Sequence, residues 1–140
     1  MSKVAVVYWS GTGNTEAMAN AVVEGAKAKG AEVHLLTAFE FNADTAKEYD
    51  GIAFGCPAMG DEVLEESEFQ PMWDDVKGSI SDKKVALFGS WGWGDGAWME
   101  SWKEDATAAG ITLAADSVIC NDAPDADTEE ALKALGGAVA

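Results

Sequence analysis

The chain has 140 residues, of which 25 are acidic and nine basic, giving a formal net charge of −16; every basic residue is lysine. That balance argues against binding nucleic acid by phosphate neutralisation and against adsorption to an anionic membrane. At 48% apolar and 24% charged residues the composition is that of a folded globular chain, and the length suits one domain over residues 1–140.

The first residues, Met-Ser-Lys-Val, lack the long apolar core of a leader, and no apolar run nears the ~20 residues of a bilayer span. The expected setting is the cytoplasm. Cys56 and Cys120 fit neither a CxxC nor a zinc spacing, so no structural metal or disulfide scaffold is expected. The acidity itself has two readings, solubility alone or a field complementary to a basic protein partner.

In chain order, an apolar run at Val4–Trp9 predicts a first strand. Met18, Ala21, Val22 and Gly25 recur at helical spacing, with Gly30 as the stop. A second strand follows at Glu32–Leu36 and a short helix at Asn42–Tyr49. The third strand is Ile52–Cys56, and a helix with Pro71 in its first turn spans Phe69–Val76. Val85–Phe88 is the fourth strand. Trp98, Met99, Trp102, Ala106 and Ala109 share one helix face, and the two tryptophans are expected in the core. An interrupted run at Ile111–Ile119 is the fifth strand. Leu132, Leu135, Gly136 and Val139 mark a last helix. Five apolar runs, the last interrupted, alternating with helices predict a parallel sheet buried on both faces. His34 falls in or beside the second strand and reads as an edge residue, not a general base.

Ligands of such sheets bind beyond the carboxyl ends of the strands. Three connections there have unusual content: Ser10–Thr15, Pro57–Glu68 and Ser90–Ala97. In "SGTGNT" the glycines let backbone N–H groups converge, the next helix adds its positive end, and Ser10, Thr12, Asn14 and Thr15 add donors. That is a cradle for an anion, most naturally a phosphate. It is not a P-loop, because no lysine lies between Ser10 and Val23, and Glu16 replaces the third glycine of a dinucleotide loop. An ordinary turn capping a helix would use the same residue types, so the loop alone leaves both readings open. In "SWGWGDGAW" Trp91 and Trp93 are isolated by glycines, as suits rings offered to a flat ligand. Met59 precedes Gly60 and suits either the opposite face of such a ligand or a gap in the core.

Cradle, flat slot and acidic rim together suggest flavin mononucleotide (FMN). Through "YWSGTGNTEAMA", "GCPAMGDEVLEESEF" and "LFGSWGWGDGAWM", in that order, the chain resembles the short-chain flavodoxins of anaerobic bacteria from Lys3 to about Asp125. The resemblance implies a flavodoxin-like doubly wound three-layer α/β sandwich. Its five-stranded parallel sheet would run in the order 2-1-3-4-5, an order taken from the family. It also implies roles. Ser10, Gly11, Thr12, Gly13, Asn14 and Thr15 would hold the FMN phosphate, with Ser90 adding a hydroxyl. Trp93 would stack on one face of the isoalloxazine, with Ala58 and Met59 at the other. Glu62 would accept from N3–H, and backbone amides of Gly92, Trp93 and Gly94 would reach N1 and O2. Gly60–Asp61 would be the peptide that turns over on reduction. Trp91 stands where relatives often carry tyrosine, which keeps the slot aromatic. The last helix is less family-like.

The implied activity is a low-potential one-electron carrier, not an enzyme, cycling FMN between semiquinone and hydroquinone. Asp61, Glu62 and Asp95 would oppose the anionic reduced ring. One charge about 10 Å away at an effective dielectric of ~20 costs roughly 1.7 kcal/mol, on the order of 70 mV for one electron. Partners would be basic-surfaced redox proteins, such as flavodoxin reductases or low-potential oxidoreductases, met by a monomer. Their contact would be an acidic rim of Asp61, Glu62, Glu65, Glu66 and Glu68, with Asp122, Asp125, Asp127, Glu129 and Glu130 beside it. Three rivals compare poorly. A receiver module needs acidic residues where strand one ends in Tyr-Trp-Ser, a Cys-x5-Arg phosphatase needs arginine, and a small FMN-dependent reductase needs its own substrate pocket.

Overall fold

The computed structural model describes residues 2–11, 13–59, 64–92 and 96–140. Strand β1 (Lys3–Tyr8) leads to helix α1 (Asn14–Ala28), β2 (Glu32–Thr37), a 3-10 turn at Ala38–Glu40 and the short α2 (Ala43–Ala46). Then come β3 (Gly51–Gly55), α3 (Phe69–Val76) with a 3-10 turn at Lys77–Ser79, β4 (Lys84–Trp91), α4 (Ala97–Ala108), β5 (Val118–Asn121) and α5 (Ala126–Val139). All pairings are parallel, and the order is β2-β1-β3-β4-β5. The expected order and fold class hold.

Alternate residues of each central strand feed opposite layers, as the two-residue period requires. Val4, Val6, Ala53, Ala86 and Phe88 pack under α1 and α5 with Met18, Val22, Leu132 and Leu135. Ala5, Val7, Ile52, Phe54, Val85 and Leu87 pack under α2, α3 and α4 with Trp73, Trp98 and Trp102. Trp98 and Trp102 are buried in that layer, as expected. Both α1 and α4 close on glycine in the same way. Gly30 N–H bonds Lys27 O and Ala31 N–H bonds Ala26 O, and after α4 Gly110 N–H bonds Thr107 O and Ile111 N–H bonds Ala106 O.

Three expectations need correction. Strand β2 is not buried on both faces: it forms one edge of the sheet, and Leu35 is 40% exposed. Strand β4 runs on to Trp91 because its pairing with β5 continues from Phe88↔Val118 to Trp91↔Asn121. Ser90 and Trp91 therefore stand on a strand end, not in a loop. The same register moves β5 late. Only Leu113 of the earlier apolar stretch bridges to Val85; Ala114 N–H bonds Val85 O, and Ile111–Leu113 is otherwise irregular.

Candidate functional site

The carboxyl ends of β1, β3, β4 and β5 surround a cavity of about 210 Å³. After β1, Ser10 Oγ accepts from Gly13 N–H at 3.0 Å and pulls the turn closed. Gly13 is the N-cap of α1 at φ 94°, a left-handed value that L side chains rarely adopt, and no side chain caps the helix. Ala17 N–H makes the first intrahelical bond, to Gly13 O, so the amides of Asn14, Thr15 and Glu16 precede the ladder. Helix N–H groups without a side-chain cap, at the positive end of the dipole, suit an anion. Gly11 and Asn14 line the cavity. Thr15 is buried, and its Oγ1 lies 3.0 Å from Ser90 Oγ, which joins the start of α1 to the end of β4.

From β3, Ala58 and Met59 line the same space, and Ala58 N–H bonds Ser90 O at 3.0 Å. Met59 is only partly buried, so it is a wall of the cavity and not a core filler. From β4 come Ser90, Trp91 and Gly92. The fold thus brings Gly11, Asn14, Ala58, Met59, Ser90, Trp91 and Gly92 to one cavity, with Ser10, Gly13 and Thr15 shaping its edge. Thr12, Gly60, Asp61, Glu62, Trp93, Gly94 and Asp95 lie outside the described residues.

Three wall residues were not among the expected ones: Trp9, Pro57 and Asp122. Trp9 read as the last residue of a strand. In the fold it leaves the strand, and a Cβ on Gly11 would lie 3.0 Å from its ring. Asp122 holds φ at 58°, and its N–H bonds Trp91 O at 2.8 Å, so it turns the chain back over β4. Asn-Asp after an apolar run was the available signal, since both types tolerate left-handed backbone. No lysine lines the cavity among the described residues. A larger cavity of about 240 Å³ lies between α3 and α4, but its Lys77 and Asp105 already satisfy each other at 3.0 Å.

Glu65 does not belong to an exposed rim. It is 5% exposed and turned inward. Its Oε1 accepts from the N–H groups of Glu68 and Phe69, each at 2.8 Å, and its Oε2 from Ser67 N–H at 2.9 Å and the Ser67 hydroxyl. Burial pushes its carboxyl up, but the bonds from Ser67, Phe69 and Glu68 prevail and hold it below the usual range. Glu65 therefore caps α3, while its own N–H meets Cys56 Sγ at 3.4 Å. Glu66 and Glu68 remain exposed. Asp125 is the N-cap of α5, accepting from Thr128 N–H at 2.8 Å. His34 sits on the edge strand away from the cavity, against Glu32 and Tyr49. Burial raises the Cys56 thiol far above its ordinary pKa and the Cys120 thiol to about 11, so neither is a ready nucleophile. Among the described residues no cluster suited to a metal ion occurs, and no helix is long and apolar enough to cross a membrane.

Comparison with known proteins agrees with this geometry. The family model described as Flavodoxin matches residues 6–135. The flavodoxin of Megasphaera elsdenii is 45% identical over 98% of both chains, and that of Clostridium beijerinckii 43% identical over 91% of this chain and 93% of the relative. The solution structure of two-electron reduced Megasphaera elsdenii flavodoxin superposes with a TM-score of 0.89 over 97% of both chains. Flavodoxins carry electrons to redox enzymes on bound FMN and are not enzymes themselves. A cavity with no lysine among its described lining residues, at the end of a 2-1-3-4-5 sheet, and close similarity along nearly the whole length place this chain in the flavodoxin family, as a small FMN-binding electron carrier.

Proposed function

We propose that this chain carries single electrons at low potential and that the cavity at the ends of β1, β3 and β4 is its FMN site. The carrying observation is the start of α1. Its first amides meet no side-chain cap, Ser10 and the buried Thr15–Ser90 pair stand beside them, and no lysine lines the cavity among the described residues. Such a site favours a phosphate by oriented dipoles alone.

When bound, FMN supplies one-electron chemistry that the protein tunes. In this reading Ser10, Thr12, Asn14, Thr15 and Ser90 bind the phosphate, and the backbone of Gly11 and Gly13 lets them converge. Met59 and Trp93 cover the two faces of the ring, while Ala58 and Trp91 keep water from its inner edge. Gly60, Asp61 and Glu62 meet its N5 and N3 side, and Gly92, Gly94 and Asp95 its N1 side. With Asp122 on the wall and a net charge of −16, added negative charge on the ring is opposed, which lowers the potential.

The decisive experiment compares FMN with riboflavin by quenching of flavin fluorescence on ligand-stripped protein. FMN is expected to bind tighter by about two orders of magnitude, the worth of one or two charge-assisted hydrogen bonds. Equal affinities, or no quenching by FMN, would refute the site. The wider reading is of residues 1–140 as one monomeric cytoplasmic domain serving basic-surfaced redox enzymes such as flavodoxin reductases. Transfer to a basic acceptor, with cytochrome c as the probe, should then slow steadily as salt is raised; a rate flat in salt would leave the acidity to solubility alone.

A further inference from the structure

The layer under α2, α3 and α4 contains a run of aromatic rings that extends from Trp102 to Tyr49 at the β2 edge. Trp9, Ala58 and Trp91 of the cavity pack against this layer. Trp98 within it donates Nε1–H to Cys56 O at 3.2 Å. One helical turn on, Trp102 meets Phe69 and Trp73 edge to face, with centroids 5.4 and 5.7 Å apart. Trp73 meets Phe54 at 5.2 Å, Phe54 meets Phe41 at 6.1 Å, and Phe41 meets Tyr49 at 6.1 Å. Tyr49 is 5% exposed.

The run ends on a proton acceptor. Tyr49 Oη lies 2.9 Å from His34 Nδ1, and His34 Nε2 lies 3.1 Å from Glu32 Oε2. In the neutral imidazole the ring nitrogen facing the carboxylate carries the hydrogen, which leaves Nδ1 with a lone pair for the phenol. Lys3 Nζ sits 5.3 Å over the Tyr49 ring and 4.0 Å from Glu32 and Glu48.

We propose that this run conducts oxidising equivalents out of the cavity to Tyr49, and that Tyr49 is a redox-active tyrosine with His34 as its proton acceptor. The proposal rests on the FMN reading only for its resident oxidant, the photoexcited oxidised flavin; any strong one-electron oxidant at the cavity serves equally. The oxidant takes one electron from a neighbouring indole. Electrons then step toward the cavity along Trp102 and Trp73, with Phe54 and Phe41 bridging the last gap. Finally Tyr49 gives up one electron, its O–H bond breaks, and an N–H bond forms at His34 Nδ1. The products are a neutral phenoxyl radical, an imidazolium held by Glu32 and an oxidant reduced by one electron.

The indoles pass the vacancy on and do not trap it. A tryptophan radical cation becomes a stable trap by losing its N–H proton. Among the described residues, the buried Trp102 Nε1–H has no acceptor. Trp73 Nε1–H faces Asp105 Oδ2 at 2.7 Å, but Lys77 also holds that carboxylate, at 3.0 Å from Oδ2. Burial raises the Asp105 carboxyl, yet the bonds from Trp73 and Lys77 prevail and keep it below its ordinary range. It is therefore a weak base that steadies positive charge without removing the proton. At Tyr49 the phenol instead faces a ring nitrogen, Nδ1 of His34, at 2.9 Å. The route would draw the vacancy away from Met59 and the cavity's own indoles, whose lasting oxidation would damage the cavity.

Two oxidants test this on the full chain, with radicals identified by EPR and transient absorption. The FMN-loaded chain is excited by a laser flash, and the chain without flavin is oxidised by photogenerated ruthenium(III) tris-bipyridine. The sequence has only two tyrosines, Tyr8 and Tyr49, and Tyr8 donates to Glu16 at 3.0 Å. Tryptophanyl signal should decay into tyrosyl signal in the parent chain and in Tyr8→Phe. Tyr49→Phe should lose the tyrosyl signal, and His34→Gln should slow its formation. Trp73→Phe, or Trp102→Phe if the first does not fold, should slow its formation as well. Tyrosyl signal persisting in Tyr49→Phe, its absence from the parent, or an unchanged rate in the tryptophan variants overturns the proposal. Success with ruthenium but not with FMN upholds the route and refutes only the flavin site.

Discussion

Gly136→Ala is expected to destabilise the protein by about 3 kcal/mol or more, although it adds one methyl group to a helix. A Cβ at Gly136 would lie 2.1 Å from Val22 O and 3.0 Å from Ala26 N. These are backbone atoms of α1, so no rotamer change relieves the clash. The same crossing is tight from the other side, where a Cβ on Gly25 would lie 1.9 Å from Lys133 O. Helices α1 and α5 could separate only by opening the layer that holds Met18, Val22, Leu132 and Leu135. Gly137→Ala is the internal control. Its Cβ would meet the flexible Lys29 chain, nearest at 3.2 Å, and Gly25 O at an ordinary 3.9 Å, so relief from a helical glycine should stabilise by about 0.5–1 kcal/mol. Urea unfolding reads both. Shifts of the same sign in the two neighbours would show that the crossing is not glycine-dependent.

Glu65→Ala is expected to destabilise by about 3 kcal/mol, because it removes the charged acceptor of three backbone N–H groups at the start of α3, that of buried Phe69 among them. Ser67 N–H, Glu68 N–H and Phe69 N–H all point at this one carboxylate. Residue 64 follows directly on 60–63, so FMN affinity should fall as well. Glu65→Gln keeps the shape but places an amide NH2 against donors, and should cost roughly 2 kcal/mol. The pH dependence has a definite sign. The Glu65 carboxyl is held below its ordinary range in the fold. Its contribution is therefore complete above the unfolded carboxyl pKa of about 4.3 and is lost as pH falls through the lower folded value. The stability difference between parent and Glu65→Gln should be constant near neutrality and shrink on acidification. A difference that grows toward low pH would contradict the assignment.

Glu65 also marks where the sequence was hardest to interpret. It sits in a run of acids, Glu65-Glu66-Ser67-Glu68, and nothing local separates the one that turns inward from those that face water. Its burial follows from the position of α3 on the sheet, which is tertiary information. The elements with simple environments were legible. Strands β1 and β3 are enclosed on both faces and read as unbroken apolar runs, and α1 and α5 kept their expected buried faces. Strand β5 was not legible, because its limits come from pairing with β4 and not from its own apolar pattern. The cavity was legible through its glycines, hydroxyls and isolated rings. Trp9 and Asp122 were missed because each looks like the end of a strand until the turn after it is known.

The hydroxyl pair that joins the head of α1 to the tip of β4 spans 75 residues. Asp122, bonded to Trp91 O, brings in a still later stretch. The ligand cradle is therefore assembled from the full length of the sheet and cannot serve as an early nucleus for folding. During synthesis the segment that carries α1 emerges without the partner that covers it, since Leu132, Leu135 and Val139 come more than 100 residues later than Met18. Affinity for the cofactor should thus appear only once α5 has packed on α1, and its onset would report that docking.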